Sequence, residues 1–432
     1  MLSIVVFLSF MAIIGWRYFS DKPTFGWLCA YSFLTPYLTI GNFKIDSLYL
    51  GIVILSIFII IKEKGRIVIQ KRSAFNSYYK LTIFLTILFL FSWIIFNRNN
   101  INMLIVEIAG SIKLCLVLLF MQIMNYKFSM EVIKKDLWKM IVTVIFLNFA
   151  FCMLQMYYKD MSLYLMHELR SEASYSFALE CTKWGGFTRY FGIMPYPMHL
   201  AIFLLASICF IGFEKEIPMK GKWLVVICII VCGALTASKT FLVGLGIILF
   251  CWILFDYYFG GRKKTFIIPI FLVVAVAFLS ITFFDEIRLL LQQYVSETAA
   301  QQWDTLANLS AVFKTRYSSE ADYLAYMPEF IKEYWLMGVG PASIASEAII
   351  DSAFYVLIHN GGVIALTAVI FFYIYHIRYI FKYKMYSSLM LIIVILISGM
   401  GFPSWYSSSI SIWILGYVFF VETNKRREKQ NV

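Results

Sequence analysis

The sequence is poor in charge, since only 14% of its 432 residues are Asp, Glu, Lys or Arg. An average soluble domain has about 25%. It contains four histidines and neither a CxxC nor an HExxH motif, so no metal site is predicted. Hydrophobic residues instead make up 61% of the chain, with a mean hydropathy of +0.78. A water-soluble fold cannot bury that much apolar surface, so the composition predicts a membrane protein.

Acidic residues are scarce as well, at 25 against 37 basic ones, which leaves a formal net charge of +12. A basic excess can indicate nucleic-acid binding, but here it lies in short loops between apolar segments, so no nucleic-acid partner is expected. Seven of the eight cysteines lie within apolar segments, where Cys behaves as a small hydrophobe. Only Cys181 lies in a long loop, so no disulfide framework is predicted.

Crossing a bilayer takes about 20 apolar residues, and thirteen segments come near that length. They are 1–16, 25–41, 46–61, 80–96, 101–124, 137–157, 190–213, 223–238, 240–258, 266–284, 353–375, 386–400 and 404–421. The pairs 25–41/46–61 and 386–400/404–421 could each contain a half-span. The predicted fold is an all-α, polytopic integral membrane protein with about 12–13 transmembrane helices, and residues 1–432 form a single membrane domain.

The loops between these segments alternate in charge. One set holds 25 of the 37 basic residues, at 17–22, 62–80, 127–139, 215–222, 262–264, 378–384 and 425–429. Basic loops face the cytoplasm, so the N-terminus is predicted outside and the C-terminus inside. Two of the intervening outer loops are long, 158–189 and 285–352, and loops of that length are usually functional or disordered. The second contains amphipathic stretches, 287–295 and 322–331, which predict helices lying on the outer face.

Arg189 closes the first long loop, just before Pro195 and Pro197 lead the chain back into the membrane. Irregular backbone at that depth indicates a cavity rather than contact with lipid. Arg189 is therefore a candidate catalytic residue, and the alternative is an arginine that reaches to the lipid headgroups. His199 is a candidate for substrate binding, with a satisfied buried histidine as the alternative.

Lys239 follows Ser238 in a tight outward turn between two spans. A cation beside hydroxyl and backbone N–H groups suits an anion such as a diphosphate, although an ordinary interfacial lysine fits the pattern equally well. Lys113 lies near the middle of a span that also holds Glu107. Charges at that depth face the bundle interior or water, so Lys113 is either part of a buried pair or part of a site.

The second long loop holds a further set of candidates. Arg316 and Tyr317 are followed by Glu320 and Asp322, and this group is either a second anion-binding site or a surface cluster of salt bridges, which contribute little. Asp351 stands where the loop meets the next span. It is predicted either to cap that helix or to act on a substrate hydroxyl.

Three stretches, in this order, resemble the bacterial O-antigen and capsule polymerase family, which is related to the O-antigen ligases. The first runs from Arg189-Tyr190-Phe191-Gly192 through Pro197 to 201–204, and the second is Leu235-Thr236-Ala237-Ser238-Lys239-Thr240. The third runs from Arg316 through Gly338-Val339-Gly340 to Asp351-Ser352 and Gly361-Gly362. The stretches cover about residues 185–375, on a topology with a long outer loop before the third-last span.

The resemblance implies an inverting, metal-independent glycosyltransferase without a cofactor, in the plasma membrane of a bacterium and active at its outer face. The growing glycan would leave undecaprenyl diphosphate and join a fresh lipid-linked repeat unit, for O-antigen or capsule synthesis. Arg189 and Arg316 would hold the diphosphate, with Lys239 as a third cation and Asp351 as the base. Implied partners are the lipid-linked oligosaccharide, membrane lipids, a chain-length regulator and a flippase.

One departure from the family pattern bears on the reaction. The ligases tend to carry a His-Asn pair where this chain has Asp351-Ser352, which favours a polymerase. Two alternatives remain: an O-antigen ligase using the same donor, and a multi-span transporter or flippase of lipid-linked sugars. A flippase should show internal repeats and cationic residues in both halves, whereas the candidate residues here cluster after residue 185.

Overall fold

The apolar runs of the chain form helices, and a single short hairpin is the only strand structure among the described residues. The computed structural model describes residues 2–40, 43–64, 66, 73–96, 101–182, 187–214, 222–259, 284–294, 297, 300, 304, 327–341, 352–402, 404–405 and 408–429. The first helices are α1 (Leu2–Phe19), α2 (Phe25–Leu34), α3 (Ser47–Glu63), α4 (Phe75–Phe96), α5 (Ile101–Asn125), α6 (Met130–Tyr157), α7 (Lys159–Leu169) and α8 (Glu172–Glu180). They are followed by α9 (Pro197–Phe213), α10 (Lys222–Leu235), α11 (Lys239–Phe259), α12 (Phe284–Tyr294), α13 (Met327–Tyr334), α14 (Ala353–Lys382), α15 (Tyr386–Ser398) and α16 (Ser409–Glu428).

Five of these helices are long and apolar enough to cross a membrane, namely α1, α4, α5, α6 and α14. Their outward faces carry large apolar side chains that the described part of the protein leaves uncovered, such as Ile87, Val106 and Phe371, which are 61%, 63% and 64% exposed. Apolar surface on that scale requires lipid. The architecture is that of an all-α, multi-pass membrane protein, as predicted, while the count of 12–13 spans stays a prediction.

The centre of the bundle is built on α9 and on the first half of α16, which are apolar on every side. The middle of α9, Leu200–Phe210, is buried throughout, and α16 is buried from Ile410 to Phe420. A helix that is hydrophobic all round belongs inside a bundle. Helices α10, α11, α15 and α16 pack around α9, so the segment that leads into α9 lies among other helices rather than in lipid.

The predicted span 25–41 is wrong in its second half. Helix α2 ends at Leu34, and the chain continues into the antiparallel hairpin of β1 (Tyr37–Ile40) and β2 (Phe43–Asp46). Pro36 explains the change, because the residue before a proline is driven out of the helical region, and Thr35 is extended (φ −49°, ψ 127°). Asp46 then starts α3 by accepting the Leu48 N–H at 2.9 Å.

Charged residues group the loops into two ends of the bundle. At one end, which we call the basic end, Asp21 pairs with Lys62 at 2.8 Å and also with Lys127. At the opposite end the hairpin meets the α7–α8 segment, where Lys44 pairs with Glu172 at 3.2 Å. The loops predicted to share a side therefore contact one another. Which side of the membrane each end faces stays a prediction.

Both long loops contain helices. The first, 158–189, forms α7 and α8, which the sequence analysis did not predict. In the second, α12 agrees with the predicted amphipathic stretch 287–295, and α13 overlaps the later part of the stretch 322–331. The predicted span 266–284 lies almost wholly outside the described residues.

Candidate functional site

The chain from Arg189 to Tyr196 forms no helix although it runs inside the bundle, and side chains of α6 hold it. Oε1 of Gln155 accepts the N–H groups of both Phe191 and Gly192 at 3.1 Å. Oδ1 of Asn148 accepts the Ile193 N–H, also at 3.1 Å. Irregular backbone at membrane depth requires such partners within the protein. The predicted broken segment before α9 is therefore present, and α9 begins only at Pro197.

Gly192 lets this segment approach α6. Its φ is +57°, a left-handed conformation that residues with a Cβ atom adopt at a cost. A Cβ at this position would lie 2.3 Å from Oδ1 of Asn148. The glycine therefore allows the backbone to reach the amides that fix it.

Arg189 binds the turn between α10 and α11. Its Nε donates to the Thr236 carbonyl at 3.2 Å, and the Tyr190 N–H donates to the Leu235 carbonyl at 3.0 Å. Lys239, three residues after Thr236, begins α11, so it stands at a helix N-terminus, where anions are favoured. Arg189 and Lys239 are both half-buried. The structure thus places Arg189 against the turn that leads into Lys239, a contact that was not predicted from the sequence.

Ser238, which precedes Lys239 in the chain, and His199, on the first turn of α9, are both buried. Oγ of Ser238 is 3.2 Å from the Met198 sulfur on the first turn of α9. The His199 ring packs 4.7 Å from the Phe402 ring, and its Nδ1 is buried with no hydrogen-bond partner in the described part of the chain. Ser238 therefore joins the α10–α11 turn to α9, and His199 keeps an unused polar atom next to it.

Cys181, at the end of α8, is close enough to Arg189 for the positive charge to affect its pKa. Burial raises the pKa of this thiol to about 11, and the positive charge of Arg189 acts in the opposite direction. All eight cysteines are free thiols. The positive charge of Arg189 therefore partly offsets the effect of burial on the pKa of the Cys181 thiol.

Arg170, a buried cation between α7 and α8, was not predicted from the sequence as a site residue. It donates to the Thr35 carbonyl at 3.2 Å and to the Ile193 carbonyl, and it is only 5% exposed. Burial lowers the pKa of Arg170 to about 10, so the side chain remains charged at neutral pH, and the negative charge of Asp46 nearby favours the charged form. Arg170 therefore fixes the far end of the segment that carries Arg189. A basic residue in a predicted outer loop was the only sequence signal for it.

Lys113, the intramembrane cation, is half of an ion pair. Its Nζ lies 2.5 Å from Oδ2 of Asp46, the residue that caps α3. Both side chains are largely buried. The structure therefore favours the structural interpretation of Lys113, since the pair ties α5 to the hairpin.

The third stretch of the family resemblance is only partly described. Arg316, Tyr317, Glu320, Asp322 and Asp351 all lie outside the described residues. Ser352 is described, is 5% exposed and precedes α14, whose first N–H, from Ala353, donates to the Gly399 carbonyl at 2.8 Å. The geometry of a second anion site around these residues stays a prediction.

The glycine pairs of that stretch do meet. Helix α14 breaks at Gly362 (φ 63°, ψ −162°), and the segment from Trp335 to Gly340 inserts there. The Val363 N–H donates to the Trp335 carbonyl at 2.8 Å, and the Val339 N–H donates to the His359 carbonyl at 2.9 Å. A Cβ on Gly362 would lie 2.2 Å from the Leu336 carbonyl oxygen. The last part of the second long loop thus packs into the break in α14.

In the described part of the chain, no group of three or more His, Cys, Asp or Glu side chains could hold a metal ion. Comparison with protein-family models and with curated proteins gave no match for this chain. The family resemblance therefore rests on the three sequence stretches.

Proposed function

We propose that the protein polymerises lipid-linked oligosaccharides, by transferring a growing glycan from undecaprenyl diphosphate onto a lipid-linked repeat unit at the outer face of a bacterial plasma membrane. The observation that carries the proposal is the contact between Arg189 and the α10–α11 turn, because this turn leads directly into Lys239, a second half-buried cation at a helix N-terminus. Such a surface suits a diphosphate.

The chemistry needs this kind of surface. A hydroxyl oxygen of the acceptor sugar attacks the anomeric carbon of the donor glycan, and the bond from that carbon to the diphosphate oxygen breaks. The electron pair of that bond goes to the diphosphate, and the hydroxyl proton passes to a base, a role we assign to Asp351. Negative charge therefore grows on the leaving group in the transition state, where preorganised cations act most strongly.

The hydrogen bonds around Arg189 support a preorganised site. The Nε bond to Thr236 sets the plane of the guanidinium, and the α6 amides hold the backbone that follows it. A group fixed in this way needs little reorganisation during the reaction. Lys239 contributes charge from the neighbouring turn, and Arg316 in the second long loop is the proposed third cation.

The test uses purified protein in liposomes, with lipid-linked repeat units and EDTA present. Replacing Arg189 with Ala should lower the rate of elongation about 10²–10³-fold, the scale of losing one preorganised donor. Arg189→Lys should recover only part of the rate, because lysine lacks the planar fork. Lys44→Ala is the matched control, since Lys44 is a cation at the same end that already pairs with Glu172.

Product analysis separates the alternatives. A polymerase yields a ladder of chain lengths, a ligase moves a glycan once to a different acceptor, and a flippase moves the donor without elongation. Full-length ladders from Arg189→Ala at normal protein abundance would contradict the assigned role of Arg189. Elongation that disappears in EDTA and returns with Mg²⁺ would contradict the metal-independent mechanism.

A further inference from the structure

A second cationic region lies at the basic end, far from Arg189 along the chain. An open groove of about 980 Å³ runs between α4, α14 and α16. One end of the groove, which we call its upper part, carries Lys80, Arg426 and Lys429 together with Tyr375, Tyr379 and Tyr383. The rest, its lower part, is lined by apolar side chains of α4 and α14. No Asp or Glu is among the described residues that line it. The groove is therefore positively charged at one end and apolar below.

Aromatic rings hold the cations at the top of the groove. The Arg426 guanidinium lies 4.7 Å from the Tyr379 ring centroid, and its Nη2 donates to the Tyr375 hydroxyl at 3.0 Å. Nζ of Lys429 lies 4.1 Å from the Tyr383 ring, and its hydrogen bond lowers the pKa of Tyr383. Nε of Arg426 is buried and has no hydrogen-bond partner within the described residues.

A series of buried hydrogen bonds holds Arg426 in place. One oxygen of Glu422 accepts from Arg426 at 2.5 Å, and the other lies 2.6 Å from Nδ1 of His376. Nε2 of His376 lies 2.7 Å from Oγ of Ser77 on α4. Glu422 and His376 are 0% and 1% exposed in their side chains. The same order of groups occurs in serine hydrolases, but Oγ of Ser77 is also 2.6 Å from the Ala74 carbonyl, which competes for the hydroxyl proton. These hydrogen bonds therefore form a structural clamp that joins α4, α14 and α16.

The lower part of the groove identifies the kind of ligand. Phe84 on α4 and Phe371 on α14 lie about one helical turn deeper than Lys80 and Tyr375. They are 44% and 64% exposed, on faces that meet lipid. A soluble phosphate would leave this wall uncovered. An amphiphile places its charged group on the cations and its chains on the phenylalanines.

We propose that this groove binds an anionic phospholipid, with the phosphate on Lys80, Arg426 and Lys429 and the acyl chains along Phe84 and Phe371. Basic pockets between transmembrane helices recognise anionic headgroups in this way. The proposal needs only a membrane-embedded protein and does not depend on glycosyl transfer. It assigns a binding site to the end of the bundle opposite the proposed reaction.

Native mass spectrometry of the purified full-length protein, titrated with phosphatidylglycerol or phosphatidylcholine, tests the proposal. Wild-type protein should retain phosphatidylglycerol in preference to phosphatidylcholine. The double variant Lys80→Gln/Lys429→Gln should weaken phosphatidylglycerol binding roughly thirtyfold, since two cations near the phosphate are removed. The matched control is Lys22→Gln/Lys425→Gln, which removes the same charge at the same end, although neither lysine lines the groove. This control should bind as the wild type does.

Two results would overturn the proposal. An equal loss of binding in both double variants would indicate a general charge effect rather than a site. Displacement of the lipid by glycerol phosphate at a similar concentration would indicate a site for a soluble anion, without a role for the apolar wall. Thermal unfolding of both variants in zwitterionic detergent should match that of the wild type, because the exchanged lysines are not part of the buried clamp.

Discussion

Replacing Gln155 with Leu should destabilise the protein because it removes the support of the segment that carries Arg189. Gln155 is 2% exposed, and its Oε1 accepts two backbone N–H groups at 3.1 Å. Leucine fills similar space but leaves both donors buried without a partner. Each such donor costs about 1–3 kcal/mol, so the free energy of unfolding should fall by about 2–6 kcal/mol. Elongation should fall as well, since Arg189 loses its fixed position.

Gln122→Leu provides the matched control for this measurement. Gln122 on α5 is also 2% exposed, but its Oε1 accepts only the Tyr79 hydroxyl, at 3.2 Å, and its Nε2 is buried with no partner among the described residues. The substitution leaves one half-buried hydroxyl without this partner but also removes the unsatisfied Nε2, so the free energy of unfolding should change by about 1 kcal/mol or less. The assay is unfolding of the purified protein in mixed micelles by added SDS, followed by tryptophan fluorescence. Equal stability of the two variants would refute the argument that the α6 amide supports the segment.

Two further predictions concern accessibility. Cys181 should react very slowly with maleimide at pH 7.5, because a buried thiol with a pKa of about 11 has a thiolate fraction on the order of 10⁻³ or less. The rate should rise with pH towards that value, and rapid labelling at pH 7.5, measured by peptide mass spectrometry, would contradict it. In a cysteine-free background, Ser176→Cys should react with an impermeant maleimide from outside the cell and Ser20→Cys only after permeabilisation. Both sites are exposed, so the reverse pattern would invert the topology.

Helix boundaries show where hydropathy was sufficient and where it was not. Six of the thirteen predicted spans agree with observed helices to within three residues at both ends, for example 101–124 with α5 and 240–258 with α11. Helix α6 was predicted from 137 but begins at Met130. The first turns of α6, residues 130–136, were left out of the predicted span. They contain Asp136, a charged residue that lowers the hydropathy of this segment. In the structure its carboxylate pairs with Arg17 at 2.6 Å and accepts the Gly26 N–H at 2.7 Å.

The candidate site, too, could be predicted only in part from the sequence. Arg189 and Lys239 could be chosen from the sequence because cations are rare in the loops predicted outside. The contact of Arg189 with the turn before Lys239 could not be predicted, because it depends on a hydrogen bond between Arg189 and Thr236, which are 47 residues apart. Arg170 was missed for the same reason, since its carbonyl partners Thr35 and Ile193 lie far away along the chain.

The sequence alone determined the class of this protein, because partition into lipid depends on the summed transfer energies of neighbouring residues, which are local and nearly additive. The tertiary structure alone decided which buried polar groups are satisfied. Low dielectric surroundings make each such group costly unless a partner lies within hydrogen-bond distance, and the partner of Gln155 or His376 is 36 or 46 residues away. Only the packing of the helices brings those groups together.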